Sequence, residues 1–162
     1  MVEKAFGWRV ALIRRMGRVV LLIASAVLLF AGVTKAEAPQ EFRDAIVRHE
    51  LLSSGVAAAM SMLVPWLEIG LGAGGIVAAM CARGFRAAAL SIGAAFLAFS
   101  VYALLISFDP PESPVPCGCL ASGKPVESWF GVAAFNGAVA TLMCLGAITQ
   151  RGAAAPVARV TR

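Results

Sequence analysis

The chain is short of charge. Asp, Glu, Lys and Arg make up 14% of its 162 residues, against about a quarter in ordinary soluble domains. Apolar residues make up 60%, so a folded surface facing water on all sides is excluded. Histidine is scarcer still, with His49 the only one. No phosphate-binding loop, Ser-His-Asp arrangement or zinc-protease motif is visible. The glycine-rich stretch GLGAGG (70–75) lies inside an apolar run, where helix packing explains it better than a nucleotide does. There is no internal repeat and no long linker, which leaves one domain. The net charge of +5 is not gathered into a basic patch. It flanks apolar runs, which excludes a nucleic-acid surface and points to membrane orientation.

Four apolar stretches are present, at about 19–33, 55–80, 87–108 and 129–148. A bilayer core of about 30 Å needs about 20 helical residues, so each reads as a span. The first is slightly short, and Lys35 at its end can snorkel to the interface. This first stretch also resembles a signal peptide, with basic residues before it and Ala36-Glu37-Ala38 after it. Pro39 would directly follow the cut, an unfavourable position, so an uncleaved span is the preferred reading.

Loop charge sets the expected orientation. Lys4, Arg9, Arg14, Arg15, Arg18, Arg83, Arg86, Arg151, Arg159 and Arg162 fall on one side, and Lys35, Arg43, Arg48 and Lys124 on the other. The positive-inside rule places both termini in the cytoplasm. The expected organisation is a basic cytoplasmic N-terminus (1–18), a four-helix membrane domain (19–150) and a disordered cytoplasmic tail (151–162). Between the first two spans, PQEFRDAIVRHELLS (39–53) places Phe42, Ala45, Ile46 and His49 at helical spacing, with Leu52 or Ser53 next. Pro39 and Glu41 suit a first turn. This predicts a short amphipathic helix at the outer membrane surface. The fold class is therefore all-α: a polytopic membrane protein built as a bundle of four transmembrane helices with a short interfacial helix. Gly70 and Gly74 in GxxxG spacing, Ala133, Gly137 and Thr141, and small residues around Gly93 are the expected packing faces.

Three features carry candidate chemistry. Glu68 falls near the middle of the second apolar run, where an ionised carboxylate is costly without a partner. Lys35 is the nearest cation by depth, and Asn136 could donate a hydrogen bond. Glu68 either locks the helices together or takes part in proton transfer or quinone binding. Pro65, one turn earlier, frees a backbone carbonyl; it is either a packing kink or the opening of a pocket beside Glu68. Cys117 and Cys119, in PVPCGCL (114–120), lie on the side where disulfides persist. A redox dithiol, a pair of soft metal ligands and a structural disulfide are the three readings. A bridge across one glycine constrains little chain, and two thiolates alone make an incomplete metal site, so the redox dithiol leads. Cys81 and Cys144, near the cytoplasmic ends of their spans, read as small hydrophobes rather than catalytic thiols.

LLFAGVTKA (28–36), EFRDAIVRHELL (41–52), VPWLEIGLG (64–72) and CGC (117–119), in that order, resemble the methylamine utilisation protein MauE family, within the wider DoxX-like group of four-helix membrane proteins. The resemblance covers about residues 19–150. It implies an integral protein of the bacterial inner membrane. The family is associated with maturation or transport of the disulfide-rich small subunit of methylamine dehydrogenase, alongside a thioredoxin-like partner. By position, Lys35, Pro65, Glu68, Cys117 and Cys119 are the matching residues. Leu120-Ala121 stands where the family often has Phe-Gly, a departure that bears on the substrate. The expected function is membrane thiol–disulfide exchange supporting an exported client. Cys117 or Cys119 attacks and the other resolves, Glu68 tunes the bundle or handles protons, and a membrane quinone or thioredoxin-like protein takes or supplies electrons. No bound metal is expected. A non-enzymatic scaffold or subunit, and a carrier for a small solute or soft metal, are the alternatives.

Overall fold

A computed structural model describes residues 2–81, 84–111, 115 and 126–149. The described residues form five helices: α1 (Val2–Glu37), α2 (Pro39–Arg48), α3 (Ser54–Cys81), α4 (Phe85–Phe108) and α5 (Trp129–Thr149). Four stretches are long and apolar enough to cross a membrane: Arg15–Glu37, Ser54–Cys81, Phe85–Phe108 and Trp129–Thr149. At 1.5 Å per residue their 21 to 28 residues reach about 32 to 42 Å. The chain is a multi-pass membrane protein with an all-helical fold. Cys117, Cys119 and the tail beyond Thr149 lie outside the described residues.

Each helix follows from its sequence. α1 continues well before the apolar run because Arg and Lys are good helix formers and interrupt hydrophobicity without interrupting the helix. α2 starts on Pro39 with Glu41 in its first turn and ends on Arg48, charges that complement the helix dipole. It buries Ala45 and Ile46, with His49 just beyond, which is the apolar face predicted from periodicity. The chain then turns through Glu50, which adopts φ 57°, before α3. Gly84 precedes α4 with φ 72°, a left-handed conformation that glycine adopts without a Cβ penalty.

The bundle is greasier outside than inside. Met62, Met80, Trp66, Phe108 and Phe130 are among its most exposed side chains, whereas the interior is largely alanine, glycine and serine. In lipid there is no hydrophobic force between helices, so close packing of small residues replaces it. Two antiparallel pairs pack most closely, α1 with α3 and α4 with α5. An added Cβ on Gly72 would stand 2.7 Å from the Leu29 nitrogen and the Ser25 carbonyl, and one on Gly32 would stand 2.7 Å from the Pro65 carbonyl. Ser100 Oγ donates to the Ala133 carbonyl at 2.7 Å, joining α4 to α5.

The expected glycine pair is not the one used. Gly70 and Gly74 are exposed, with nothing within 4 Å of an added Cβ. Gly72 and Gly75 form the contact instead, against Ser25 and Leu29 of α1. On α5, Ala133 is buried and Gly137 half-buried, while Thr141 is exposed and Ala140 and Met143 complete the packed face.

One half of the bundle is an apolar cluster that includes Leu21, Leu28, Phe85, Ile92, Phe96 and Met143. The other half, where α1 ends and α3 begins, holds the buried polar residues Lys35, His49, Ser61 and Glu68. If Gly72 is the α1–α3 contact, Gly72→Ala should cost about 1–3 kcal/mol through overpacking. Gly70→Ala and Gly74→Ala should cost nothing. Thermal unfolding of the three variants in detergent checks this, and equal behaviour of Gly72 and Gly74 would contradict the packing.

Candidate functional site

Glu68 lies 14 residues from Ser54 and 13 from Cys81, the ends of α3, so it sits at mid-helix. Lys35 lies in the last turn of α1, only two residues before Glu37. The two nonetheless meet. α1 ends before it reaches the first turns of α3, and α2 packs against α3 there, with Phe42 and Ile46 lining one cavity together with Met60 and Val64.

Lys35 Nζ donates to Glu68 Oε1, forming a buried ion pair. The side chains are 8% and 3% exposed. Lys35 does not snorkel to an interface; it turns into the bundle. Its ammonium stands 5.2 Å from the Phe42 ring of α2 and 5.7 Å from the Phe99 ring of α4, within range of cation–π attraction. One ammonium therefore touches groups from α2, α3 and α4. The second carboxylate oxygen, Glu68 Oε2, is buried and has no hydrogen-bond partner among the described residues.

A second polar contact fixes the far end of α2. His49 Nδ1 and the Tyr102 hydroxyl share a hydrogen bond of 2.9 Å. The imidazole meets Tyr102 and Trp129 edge-on, with centroids 5.7 and 5.0 Å away. α2 is thus tied to α4 and α5 at His49 and to α1 through Phe42. Beneath it lies a partly enclosed cavity of about 270 Å³, lined by Lys35, Phe42, His49, Val64, Phe99 and Tyr102 among others.

The expected site residues divide. Lys35 and Glu68 come together. Pro65 is fully buried but backs onto Gly32 of α1, and Val64 rather than Pro65 lines the cavity. Asn136 does not reach Glu68; its Nδ2 donates to the Val132 carbonyl of its own helix at 2.9 Å. Cys81 and Cys144 are free and exposed at the helix surface. Cys117 and Cys119 lie outside the described residues. Of their flanks, Val115 is buried and its carbonyl accepts from the Val126 amide at 3.2 Å. No group of three metal-binding side chains occurs among the described residues.

Sequence reasoning missed Tyr102, Phe99 and the contact of Trp129. One signal was available: the chain has a single tyrosine, placed inside an apolar helix whose neighbours cannot satisfy its hydroxyl.

The family model of the methylamine utilisation protein MauE matches residues 9–149. The chain belongs to the MauE family. A similar protein, the methylamine utilization protein MauE of Methylophilus methylotrophus, is 25% identical over 99 residues, which is 61% of this chain. The match spans half the length of that curated relative. No solved structure matches the chain. The matched region of this MauE-family protein takes in the Lys35–Glu68 pair, α2 and the residues lining the cavity.

Removing one member of a buried ion pair leaves an uncompensated charge, at a cost of about 3–5 kcal/mol. Glu68→Gln and Lys35→Met should each lower the unfolding free energy in detergent by that much, and the joint Lys35→Met/Glu68→Met variant should recover most of it. Single variants indistinguishable from the parent would mean that water screens the pair.

Proposed function

We propose that this MauE-family protein exchanges disulfides on the outer face of the bacterial inner membrane, supporting maturation of an exported, disulfide-containing client. A subunit of methylamine dehydrogenase or an analogous protein is the expected client. The carrying observation is the placement of the Cys117-Gly118-Cys119 sequence. It falls between Val115 and Val126, whose backbones are joined by a hydrogen bond. That junction connects α4 to α5 at the end of the bundle where α1 ends and α2 lies. The family name supports a role in methylamine utilisation, and the loop charge supports a periplasmic position for this end.

The chemistry is an exchange with a thioredoxin-like partner. A thiolate of Cys117 or Cys119 attacks one sulfur of the partner's disulfide, forming a mixed disulfide and releasing the partner's other thiolate. The second cysteine attacks the mixed disulfide, closing the Cys117–Cys119 bridge and freeing the partner's dithiol. Two electrons and two protons move to the partner, and the reverse sequence runs by the same steps. Gly118 gives the backbone the freedom that so short a bridge requires. Lys35, Pro65 and Glu68 act as positioning residues, holding α1 and α3 so that the outer end keeps its shape.

Two readings test the proposal in a Cys81→Ser/Cys144→Ser background. A membrane-impermeant maleimide on intact, reduced cells should label Cys117 and Cys119. Cys117→Ser and Cys119→Ser should differ on non-reducing gels, with one accumulating a thiol-sensitive adduct. Labelling only after permeabilisation overturns the topology. Full complementation by the Cys117→Ser/Cys119→Ser variant with no adduct from either single variant overturns the exchange and leaves a membrane scaffold as the reading.

A further inference from the structure

Where α4 begins and α5 ends, the bundle has a second cavity. α1 packs chiefly on α3, and α5 on α4, so α1 and α5 run past each other with little contact. Between them lies a partly open space of about 190 Å³, lined by Met16, Gly17, Phe85, Leu142, Gly146 and Thr149 among others. The lining is apolar except for Thr149, whose hydroxyl donates to the Gly146 carbonyl of its own helix at 3.1 Å. The described side chains leave this space open. A Cβ added at Gly146 would come no closer than 4.0 Å to a neighbour, and one at Gly17 would stand 3.6 Å from Phe85. The volume falls below the roughly 300–1,000 Å³ that encloses a compact ligand, and the apolar lining offers no free polar group to orient one. A cleft of this kind between transmembrane helices takes an alkyl chain from the surrounding lipid.

Cationic charge is concentrated at the same level. Arg15, Arg18 and Arg86 are exposed and have no carboxylate partner among the described residues. Arg86 directly follows Phe85, which lines the cleft and opens α4. α1 continues as helix from Val2 to the start of its span at Arg15, so Arg9 stands two turns before Met16 on the same face of α1. That is about 10 Å along the axis, comparable with the depth of one head-group layer, about 5–8 Å. Glu3 is the only acidic residue before the first span, between the second and third, or after the fourth. A zwitterionic head group would bring its own cation among these arginines, and an anionic one would not. Basic pockets between transmembrane helices are settings for anionic head groups.

We propose that this cleft binds an anionic diacyl phospholipid of the phosphatidylglycerol class. One acyl chain lies between α1 and α5, and the phosphate meets Arg86 and Arg9 at the rim. The lipid fills the gap between the two helix pairs at the end away from Lys35 and Glu68. This goes beyond the disulfide-exchange reading and stands without it, because it concerns the opposite end of the bundle.

The test is native mass spectrometry of the full chain, released from detergent after incubation with equimolar phosphatidylglycerol and phosphatidylcholine of identical acyl chains. The first lipid adduct should be phosphatidylglycerol, favoured at least about fivefold, since one arginine near an anionic surface contributes about that factor. The Arg9→Gln/Arg86→Gln variant should lose the preference. Arg43→Gln/Arg48→Gln, which removes the same charge at the other end, should keep it. Gly146→Leu, which fills the cleft from a position with room for a side chain, should lower occupancy by the first lipid about tenfold or more. Thermal unfolding of each variant without added lipid shows whether its fold is intact. The proposal is overturned by equal binding of the two lipids to the parent, or by a preference that folded Arg9→Gln/Arg86→Gln keeps. Loss of the preference in folded Arg43→Gln/Arg48→Gln, or unchanged occupancy in folded Gly146→Leu, also overturns it.

Discussion

The Lys35–Glu68 pair is the contact on which the rest of the structure depends. A buried charge in a lipid-embedded bundle is expensive alone and tolerable when paired. Sliding α1 along α3 by one turn would leave both charges buried apart. The pair therefore sets the register of the two helices, and the glycines make that register reachable. Gly32 admits the Pro65 carbonyl and the Glu68 side chain, while Gly72 and Gly75 admit Ser25 and Leu29. Because Lys35 lies so near the end of α1, this register leaves the first turns of α3 without α1 beside them. α2 packs there instead, and the cavity is the space that its ten residues do not fill.

The bundle thus has two different halves. The half holding Phe85, Ile92 and Met143 is an apolar cluster. The half holding Lys35, His49 and Glu68 is polar, contains the cavity and carries the Val115–Val126 junction. The exchange chemistry is proposed at this polar end because Cys117 and Cys119 fall between Val115 and Val126 in the sequence. The short α2 belongs to that end as well, held by Phe42 against Lys35 and by His49 against Tyr102.

Much of this was legible in the sequence, for physical reasons. Span length and scarcity of charge located α3, α4 and α5 to within a residue or two, because a bilayer sets both. α2 was visible in Pro39, Glu41 and the spacing of Ala45, Ile46 and His49. Glu68 was conspicuous because a carboxylate in an apolar run needs a partner, and matching depths suggested Lys35. The GxxxG spacing misled, since it records small residues on one helix face without saying which face meets a neighbour. The start of α1 was missed because arginine ends an apolar run but not a helix. Asn136 was read as an available donor for Glu68, yet it donates to the Val132 carbonyl of its own helix. The His49–Tyr102–Trp129 cluster was hidden, since contacts between residues so far apart in the chain leave no periodic trace.

The central claim, that Lys35 and Glu68 are in direct ionic contact and set the helix register, is tested most directly by reversing the charges. Lys35→Glu alone and Glu68→Lys alone each bring like charges together in a buried site, and neither should accumulate as folded protein in the membrane. Lys35→Glu/Glu68→Lys restores opposite charges. It should recover folded protein and a cooperative unfolding transition, below the parent's midpoint because Phe42 and Phe99 favour a cation at the tip of residue 35. A double variant no more folded than the worse single variant would contradict the account.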